Sequence, residues 1–262
     1  MICRPNVKLN LGLRVLGKRP DGYHELETLF IPCSNYADEL SIEPAEEFCI
    51  EIGGPCYKGW DPSGDLTARA WALLYKAFGI GPVHIRLTKN SPVGAGLGGG
   101  SADGAFALRM LNDIFGLGLS AGALAEYAAR LGSDCPFFIF NRPMFATGRG
   151  EILEPYDIDL SAYRIEVAVP EGVFVSTREA YAGLDLQGGG MPLEGSTIRQ
   201  KDVLHLPVSQ WRGLLVNDFE RSVFAAHPEI ESLKHQFYDQ GAEYAAMSGS
   251  GSAVFALFSI IA

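Results

Sequence analysis

A chain of 262 residues in which 47% are hydrophobic and 20% are charged is typical of a globular protein and excludes a disordered one. Its formal net charge of -10 argues against a general nucleic-acid surface, although a small polyanionic substrate is allowed where positive charge is concentrated locally. Because no apolar run approaches the length of a membrane span and the first residues form no apolar leader, we expect a cytoplasmic protein that binds neither membranes nor nucleic acid.

The cysteines and histidines show no spacing that is typical of metal ligands. The chain has five of each, the cysteine count is odd and no CxxC pair occurs. We therefore expect reduced thiols, mostly buried, and no zinc site. The cysteines are Cys3, Cys33, Cys49, Cys56 and Cys135.

The first predicted element is a strand over residues 7–17, in which apolar and polar residues alternate. The pattern predicts a half-buried strand with Lys8, Asn10 and Arg14 on its polar face. A turn follows at RPDGYHE (19–25), because Pro-Asp-Gly favours one. Next come strands at 26–32, 38–44 and 48–54, a helix at 65–78 and a strand at 83–90.

A glycine-rich loop follows that strand, in the sequence PVGAGLGGGSADGA (92–105). Five of the seven residues from Gly94 to Gly100 are glycine, more than one tight turn needs. The segment 101–116 predicts a helix together with its caps. Ser101 is the predicted N-cap, and Gly116 lies at the C′ position just beyond the last helical residues. A glycine loop that opens a helix presents backbone N–H groups to an anion, so the sequence favours a phosphate site over a structural turn.

Two familiar phosphate motifs do not fit this loop. A Walker A loop ends in Gly-Lys-Ser/Thr, and Gly100-Ser101 has no lysine between its residues. Residues 94–99 match G-x-G-x-x-G literally, but a dinucleotide site would need a second strand with an acidic end about twenty residues further on. Helices are predicted there instead, so a different class of phosphate loop is indicated.

The second half of the chain mixes strands and helices without strict alternation, which predicts an α+β protein with two lobes. Two short strands, at 242–247 and 253–258, flank a second small-residue loop, SGSGS (248–252), and the boundary between lobes is predicted near Glu154. The segment 187–196 is predicted to be a mobile surface loop. Helices are predicted at 120–132, 176–183, 208–217 and 228–240, and a strand at 164–170.

Several motifs together resemble the GHMP kinases, the family of galactokinase, homoserine kinase, mevalonate kinase and phosphomevalonate kinase. The glycine loop resembles the family's second motif, and MSGSGSAVFAL (247–257) resembles its third. Residues 7–30, LGSDCPFF (131–138) and NDFE (217–220) are similar to the branch of the family that phosphorylates a cytidine diphosphate derivative. The resemblance covers essentially the whole chain, in order.

The resemblance implies a two-lobed GHMP kinase fold, with a ribosomal-protein-like α/β lobe at 1–154 and a ferredoxin-like α+β lobe at 155–262. Relatives continue with another helix and strand after the third motif, so the second lobe is expected to be shortened at its C-terminus. The family also implies small-molecule partners, ATP and the acceptor, and a monomer or weak homodimer.

Phosphoryl transfer to a hydroxyl needs a held γ-phosphate, neutralised charge and a positioned acceptor oxygen. Lys8 can neutralise the charge and Asp134 can accept the hydroxyl proton, although a structural cap or a surface loop residue is an equal alternative for Asp134. The resemblance implies that Asp134 is the catalytic base, that Lys8 assists it, and that ATP binds with Mg²⁺, whose ligands stay unassigned. It implies ATP contacts from Asp65, Lys89, Pro92, Gly94, Ala95, Gly96, Leu97, Gly98, Gly99, Gly100, Ser101, Gly249 and Ser250.

The resemblance also implies where a cytidine nucleotide binds. Tyr23 and Tyr181 would enclose the cytosine ring by stacking, which any aromatic face allows. Asn10, His24, Thr177 and Asp134 would contact the polar atoms of the substrate. From the residues alone, ordinary helix surface is an equal alternative for Tyr181, and a turn residue bonded to the backbone is the alternative for His24.

Two departures from the family pattern and two competing functions stay open. Some relatives carry Asn where this chain has Asp65, and an ionised carboxylate only accepts hydrogen bonds. Gly104 replaces a small residue with a Cβ in the helix after the loop, at a cost of about 1 kcal/mol. The competing functions are another GHMP kinase, such as a homoserine kinase, and a non-catalytic nucleotide-binding protein.

Overall fold

The computed structural model describes residues 1–184 and 199–260, so the predicted mobile loop at 187–196 lies outside the described residues. The chain divides into two compact units, each assembled from several segments. The first unit is Met1–Lys8, Pro32–Val93 and Gly98–Arg142, and the second is Leu9–Ile31, Gly94–Leu97 and Pro143–Ala262. Because each unit consists of several segments, this division has no single boundary to compare with the one predicted near Glu154, which stays a prediction.

The described residues form eleven strands and eight α-helices. The strands are β1 (Ile2–Cys3), β2 (Asn6–Lys18), β3 (His24–Ala37), β4 (Glu39–Pro44), β5 (Cys49–Gly53), β6 (Val83–Thr88), β7 (Met144–Thr147), β8 (Ile152–Pro155), β9 (Tyr163–Ala168), β10 (Tyr244–Met247) and β11 (Val254–Ser259). The helices are α1 (Leu66–Phe78), α2 (Gly99–Ile114), α3 (Ala121–Ala129), α4 (Cys135–Phe140), α5 (Thr177–Ala182), α6 (Gln200–Val203), α7 (Glu220–Ala226) and α8 (Pro228–Asp239).

The first unit packs helices on one face of a four-stranded sheet with the order β1-β4-β6-β5. Strand β5 runs parallel to β6, whereas β4 is antiparallel to both β1 and β6. Helix α2 packs against α1, α4 and β4. Val83, Ile85 and Leu87 of β6 are buried while His84 and Arg86 point the other way, so period-2 alternation separates a core face from a polar face.

The second unit contains a four-stranded sheet, β2-β3-β7-β8, and a three-stranded sheet, β10-β11-β9. Helix α8 packs against β10 and β11. Its apolar face, with Ile230 and Phe237, shares a core with Phe219 and with Val254 of β11. The mixed α+β content predicted from the sequence is confirmed in both units.

Strand β2 is buried on both faces, which corrects the prediction of a half-buried strand. Leu9 and Leu11 are fully buried, as the alternation predicts, but Lys8 and Asn10 on the polar face are only 3% and 2% exposed. Alternation identifies which residues share a face; it does not show that the polar face meets water. A buried polar face requires hydrogen-bonding or charged partners for each of its side chains.

The N-cap of α2 lies three residues earlier than predicted, and this changes the position of Ser101. Gly98 is the N-cap, in the left-handed conformation at φ 71°, and no side chain caps the helix. Ser101 therefore lies inside the first turn, and its prediction as the N-cap is wrong. Gly116, at φ 59°, follows the C-cap Phe115 as predicted.

Gly104 allows α1 and α2 to approach closely, which explains a glycine that the sequence presents only as a cost. A Cβ at this position would lie 2.9 Å from the Cβ of Leu66 and 3.3 Å from a methyl carbon of Leu131. The first distance is shorter than real Cβ atoms essentially ever show, and the second is shorter than most of their contacts. The loss in helix propensity is therefore offset by the packing of the two helices.

The predicted helix at 208–217 is wrong. Only Val208–Gln210 is helical there, as a short 3₁₀ turn. Turns follow, with the N–H groups of Leu214 and Leu215 both bonded to the carbonyl of Trp211 and Gly213 at φ 78°. A glycine in the left-handed conformation ends the helical geometry that the apolar spacing suggested. No helix among the described residues is long and apolar enough to cross a membrane.

Candidate functional site

Lys8 and Asp134 of the first unit come together, although 126 positions separate them. The Lys8 Nζ atom, on β2, lies 3.8 Å from Oδ2 of Asp134, and their side chains are 4% and 33% exposed. Burial lowers the pKa of the Lys8 ammonium below its ordinary value, although the Asp134 carboxylate beside it acts to raise that pKa. The pair thus joins a buried ammonium to a carboxylate that solvent and solutes can reach.

Asp134 is at the N-cap position of α4, yet it makes no capping hydrogen bond. Its backbone is in the right-handed helical region, at φ -83° and ψ -17°, whereas a capping aspartate is normally extended. One of the two structural alternatives, an aspartate that caps a helix, is therefore excluded. Its carboxylate is available to act on a ligand.

The first turn of α2, in the first unit, has no capping side chain. The first N–H groups of an α-helix have no partner inside the helix, and no side chain caps this one. No acidic residue lies in the first turn. A Cβ on Gly98 would lie 3.2 Å from Cγ of Lys8, so this glycine covers the aliphatic stem of that lysine. Ser101 is half-buried in the same turn.

Gly99 and Gly100 lack a side chain for different reasons. A Cβ on Gly99 would lie 2.6 Å from Oγ of Ser91, so packing inside the protein requires glycine there. No atom lies within 4 Å of the Cβ position at Gly100, which is exposed and has no unusual φ. Neither packing nor backbone conformation accounts for glycine at that position. The glycine leaves the start of the helix open to solvent, as the predicted phosphate site requires.

Gly94 and Gly96 of the second unit are glycines for structural reasons. Both have positive φ, at 73° and 77°. A Cβ on Gly94 would lie 2.5 Å from the ring of Phe174, and a Cβ on Gly96 would lie 2.1 Å from the carbonyl oxygen of Ser248. This half of the glycine loop is therefore fitted against the second small-residue loop at 248–252.

Ala95 and Leu97 have buried side chains, 3% and 1% exposed. The Ala95 carbonyl also accepts a hydrogen bond from the N–H of Ala253 at 3.0 Å. The predicted ATP contacts of these two residues are thus limited to their backbone. Pro92, which precedes the loop in the first unit, is half-buried.

The NDFE segment holds the second small-residue loop in place. Nδ2 of Asn217 donates to the carbonyls of Met247 and Gly249 at 2.9 and 2.8 Å, and Oε1 of Glu220 accepts from the N–H of Met247 at 2.8 Å. Gly249 is buried, and the bond from Asn217 occupies its carbonyl. Ser250 is half-buried. A ligand would contact this loop at Ser250 more readily than at Gly249.

Asn10 belongs to a buried hydrogen-bond network of the second unit. Its Nδ2 donates to Oγ1 of Thr28 at 2.9 Å, and its N–H donates to Oγ of Ser248 at 3.3 Å. Thr28 in turn donates to the carbonyl of Gly12 at 2.6 Å. The network fixes the amide orientation of Asn10. The sequence pointed to Asn10 but to neither Thr28 nor Ser248.

Tyr181 stacks on His24 in the second unit, with ring centroids 4.6 Å apart and an interplanar angle of 25°. Burial, with Lys18 nearby, lowers the pKa of His24. The predicted partner of Tyr181, Tyr23, is 55% exposed, and the guanidinium of Arg149 lies 4.5 Å from its ring centroid. Both tyrosines thus lie in one unit, and His24 occupies a face of the Tyr181 ring.

Thr177 lies at the start of the helix that carries Tyr181, α5. Its Oγ1 is 3.4 Å from Oγ of Ser250, so the two predicted ligand contacts are neighbours in the second unit. Ser176 caps α5 through its side chain, which fixes the first turn and with it the Thr177 hydroxyl.

Lys89 is buried in a carboxylate cluster, which corrects its prediction as an ATP ligand. Its Nζ contacts Oδ2 of Asp38 and Oδ2 of Asp103, and all three side chains are at most 3% exposed. Burial alone would lower the pKa of Lys89, but the two carboxylates outweigh it and raise that pKa. The side chain cannot reach a nucleotide while both ion pairs stand.

The same cluster fixes the chain just before the glycine loop. Oδ1 of Asp38 accepts from the N–H groups of Asn90 and Ser91 at 2.6 and 2.7 Å, and its Oδ2 accepts from Oγ of Ser91 at 2.6 Å. Sequence reasoning missed Asp38 and Asp103. The available signal was Asp103, a charged residue within the apolar stripe of α2. A charged side chain in such a buried position rarely lacks a partner of opposite charge.

Asp65 caps α1, and this accounts for its carboxylate. Its Oδ1 accepts from the N–H and Oγ1 of Thr67 at 2.9 and 2.7 Å, and its Oδ2 accepts from Nε1 of Trp60 at 3.3 Å. A contact from this side chain to adenine would compete with these bonds. That contact stays a prediction.

Two family models match the chain. The model described as GHMP kinases N terminal domain matches residues 65–142, and the model described as GHMP kinases C terminal matches residues 207–259. The first includes the glycine loop and Asp134, and the second includes the NDFE segment and the second loop.

Curated relatives match over almost the whole chain. The chain is 47% identical over 262 residues to "4-diphosphocytidyl-2-C-methyl-D-erythritol kinase" of Bacteroides fragilis (strain YCH46), a match that covers 99% of this chain and 92% of the relative. It is 46% identical to the protein of the same name from Bacteroides thetaiotaomicron, over 98% of this chain and 92% of the relative.

Solved structures show the same likeness. A crystal structure of 4-(cytidine 5'-diphospho)-2C-methyl-D-erythritol kinase matches with a TM-score of 0.79 and 34% identity, over 98% of this chain and 90% of that one. Homoserine kinase from Cytophaga hutchinsonii matches with a TM-score of 0.66 and 18% identity, over 97% and 85%, which shows a shared fold.

Lys89→Met should lower the free energy of unfolding by about 3–5 kcal/mol, because it leaves two buried carboxylates without their cation. The measurement is urea unfolding monitored by tryptophan fluorescence. The control is Lys76→Met, an exposed lysine of α1 in the same unit, whose effect should stay within about 0.5 kcal/mol. Equal stability of the two variants would contradict a structural role for the Lys89 cluster.

Proposed function

Since this chain belongs to the GHMP kinases, and within them to the 4-diphosphocytidyl-2-C-methyl-D-erythritol kinases, we propose that it transfers the γ-phosphoryl group of ATP to the 2-hydroxyl of 4-diphosphocytidyl-2-C-methyl-D-erythritol. The membership confirms the family resemblance seen in the sequence and makes the chain a small-molecule kinase of isoprenoid biosynthesis by the non-mevalonate route. A cytoplasmic location and a monomeric or weakly dimeric state belong to the same proposal.

The observation that carries the proposal is the Lys8–Asp134 pair. A carboxylate that accepts a hydroxyl proton must be ionised, reachable by the acceptor and free of structural duty. Asp134 is one-third exposed and makes no capping bond, and the Lys8 ammonium lies 3.8 Å away. The pair favours a kinase over a non-catalytic nucleotide-binding protein, which would not need a buried lysine beside an accessible aspartate.

In the proposed reaction Asp134 takes the proton of the 2-hydroxyl while the oxygen of that hydroxyl attacks the γ-phosphorus. A bond forms between that oxygen and the phosphorus, and the bond from the phosphorus to the β,γ-bridging oxygen breaks, so that ADP leaves with the electron pair. Lys8 offsets the negative charge of Asp134 before transfer and that of the phosphoryl oxygens during it.

The nucleotide phosphates are proposed to bind at the first turn of α2. Uncapped N–H groups and the positive end of a 16-residue helix favour an anion there, and Gly100 leaves the approach open. Mg²⁺ prefers oxygen ligands, and the hydroxyl of Ser101 in the same turn fits that preference. The ion would neutralise triphosphate charge.

The acceptor is proposed to bind through the second unit. The His24–Tyr181 stack provides an aromatic surface for the cytosine, and Tyr23 would cover the base from outside the stack. Asn10 and Thr177 supply fixed polar groups. This set favours a cytidine nucleotide over the small amino acid that a homoserine kinase accepts.

Asp134→Asn should lower kcat by roughly 10²–10⁴-fold, because an amide cannot accept the hydroxyl proton. The matched control is Asp113→Asn, an exposed aspartate of α2, which should leave kcat unchanged. ADP release with the cytidine substrate and ATP gives kcat, and thermal unfolding checks that both variants fold. Near-normal turnover in Asp134→Asn would show that another group is the base.

Gly100→Ala should raise the KM for ATP while leaving the fold intact or slightly more stable. Alanine is favoured over glycine in a helix by about 0.5–1 kcal/mol, and space is open at this position. A methyl group at the phosphate site would obstruct the ligand instead. Gly122→Ala, an exposed glycine of α3, is the control and should leave the KM unchanged. If the KM for ATP is the same in both variants, the triphosphate lies elsewhere.

Tyr181→Ala should weaken binding of cytidine diphosphate by roughly 10–100-fold, the equivalent of about 1–3 kcal/mol of stacking. Tyr181→Phe keeps the ring and should bind nearly as well as the parent protein. Tyr23→Ala should also weaken binding, because it removes the ring proposed to cover the base. Since that ring is exposed and has little part in folding, the loss would reflect binding and not unfolding. Calorimetric titration with cytidine diphosphate, and with ATP for comparison, measures each change.

Two outcomes would contradict this assignment. Parental affinity for cytidine diphosphate in both alanine variants would remove the aromatic site from the proposal. Equal weakening in Tyr181→Phe and Tyr181→Ala would show that the hydroxyl group of Tyr181, and not its ring, binds the nucleotide.

A further inference from the structure

Three residues on the outer face of the first unit's sheet bring a thiol, an imidazole and a carboxylate together. Cys49 and Glu51 are on β5, the edge strand, and His84 is on the neighbouring β6. Cys49 and His84 are direct partners in the parallel register, and Glu51 is two residues further along on the same face of β5. The inward residues of both strands face the core, so this trio lies on the polar side of the sheet.

The donor atoms of the trio are close enough to share one ion. One sulfur, one ring nitrogen and one carboxylate oxygen all lie within 4.8 Å of one another. Nε2 of His84 lies 3.2 Å from Oε1 of Glu51. Ligands of a tetrahedral zinc lie about 2.0–2.3 Å from the ion, so rotations about side-chain bonds would bring all three into range.

His84 has a ring nitrogen that the protein leaves unsatisfied. Its Nε2 is shielded from solvent and makes no hydrogen bond within the described part of the chain, despite the nearby Glu51 carboxylate. Buried polar atoms are rarely left in this state, and each one calls for a partner. A metal ion between Nε2, Glu51 and Cys49 would supply that partner.

The other ring nitrogen faces a second carboxylate. Nδ1 of His84 lies 4.0 Å from Oε1 of Glu43 on β4, which is its direct partner in the antiparallel register. This distance is too long for a hydrogen bond, but a small rotation of the Glu43 side chain would form one, and a carboxylate hydrogen-bonded to the distal nitrogen of a metal-bound histidine fixes the ring and raises its basicity. Glu43 is held in turn by Arg86 at 2.7 Å.

We propose that Cys49, Glu51 and His84 form a zinc-binding site on the outer face of this sheet, with water as the fourth ligand and Glu43 as the residue that orients His84. The donor set of thiolate, imidazole and carboxylate is one that Zn²⁺ accepts. The sequence predicted no zinc site because the three ligands have no common spacing: strand pairing across residues 49–51 and 84 brings them together.

The site is separate from the phosphotransfer residues in its chemistry and in its ligands. None of its residues belongs to the Lys8–Asp134 pair, to the first turn of α2 or to the cytidine-binding residues. Zinc would join the edge strand β5 to β6 through side chains, in addition to the ladder of backbone hydrogen bonds. It would also convert Cys49, an exposed thiol, to a metal thiolate.

Titration of the full chain with Zn²⁺, in competition with a chromophoric chelator and without nucleotide or Mg²⁺, tests the proposal. One equivalent should bind, and Co²⁺ in place of Zn²⁺ should give a thiolate-to-metal charge-transfer band in the near ultraviolet. Cys49→Ser and His84→Ala should each weaken zinc binding by at least about tenfold, since even outer partners of a ligand contribute that much. Cys49→Ser should abolish the band.

Cys56→Ser is the matched control, because Cys56 is another free, partly exposed cysteine of the same unit. It should keep the parental zinc affinity and the cobalt band. Thermal unfolding with and without Zn²⁺ checks folding, and the shift that zinc produces in the parent protein should disappear in Cys49→Ser. Zinc affinity that is equal in Cys49→Ser, Cys56→Ser and the parent protein, or a cobalt spectrum without a thiolate band, would overturn the proposal.

Discussion

A lysine ammonium that is removed from water must be matched by carboxylate charge, and the first unit meets this constraint twice. Lys89 is enclosed by Asp38 and Asp103, and none of the three side chains is more than 3% exposed. Lys8 is equally buried, but its carboxylate, Asp134, is one-third exposed. A sealed cluster holds the chain in place, whereas a pair with one open partner can exchange a proton with a bound molecule. The two lysines are equally buried, so the exposure of the carboxylate is what distinguishes the structural cluster from the pair that is proposed to be catalytic.

The glycine loop follows the same division between internal packing and an open surface. A side chain at Gly96, Gly98 or Gly99 would collide with the protein itself, and Gly104 admits a neighbouring helix. These glycines build the loop and bring α2 against Lys8. Gly100 alone among the five has no neighbour at its Cβ position. Most of the glycines in this loop are therefore explained by packing inside the protein, and only the end where the helix begins is open for the proposed ligand.

The sequence predicted most elements of the fold because alternation and helical spacing are local properties. Partnerships between distant residues were less accessible to it. The family resemblance predicts that Lys89 contacts ATP, and nothing local in the sequence reveals that Asp38, 51 positions earlier, accepts a hydrogen bond from its ammonium. Asn10 was placed on a polar face that proved to be buried. The 208–217 helix failed because Gly213 adopts a left-handed turn that outweighs the apolar spacing. For Asp134 the residues alone do not favour a catalytic base over a structural role. Only the resemblance to a known family favours the catalytic base.

The basic run at the start of the chain shows how an acidic protein can hold a polyanion. Residues 1–20 contain five basic residues and no acidic one, which alone would suggest a cationic surface. Folding neutralises much of it: Arg14 pairs with Asp218 at 3.2 Å, Arg19 pairs with Asp21 and Glu25, and Lys8 lies beside Asp134. At the proposed triphosphate site, attraction would therefore depend little on surplus positive side chains. It would come from the oriented N–H groups at the start of α2, whose partial charges are fixed by the backbone and need no counter-charge. A binding site of this kind is compatible with a net charge of -10, because it acts over one helical turn and not over the whole surface.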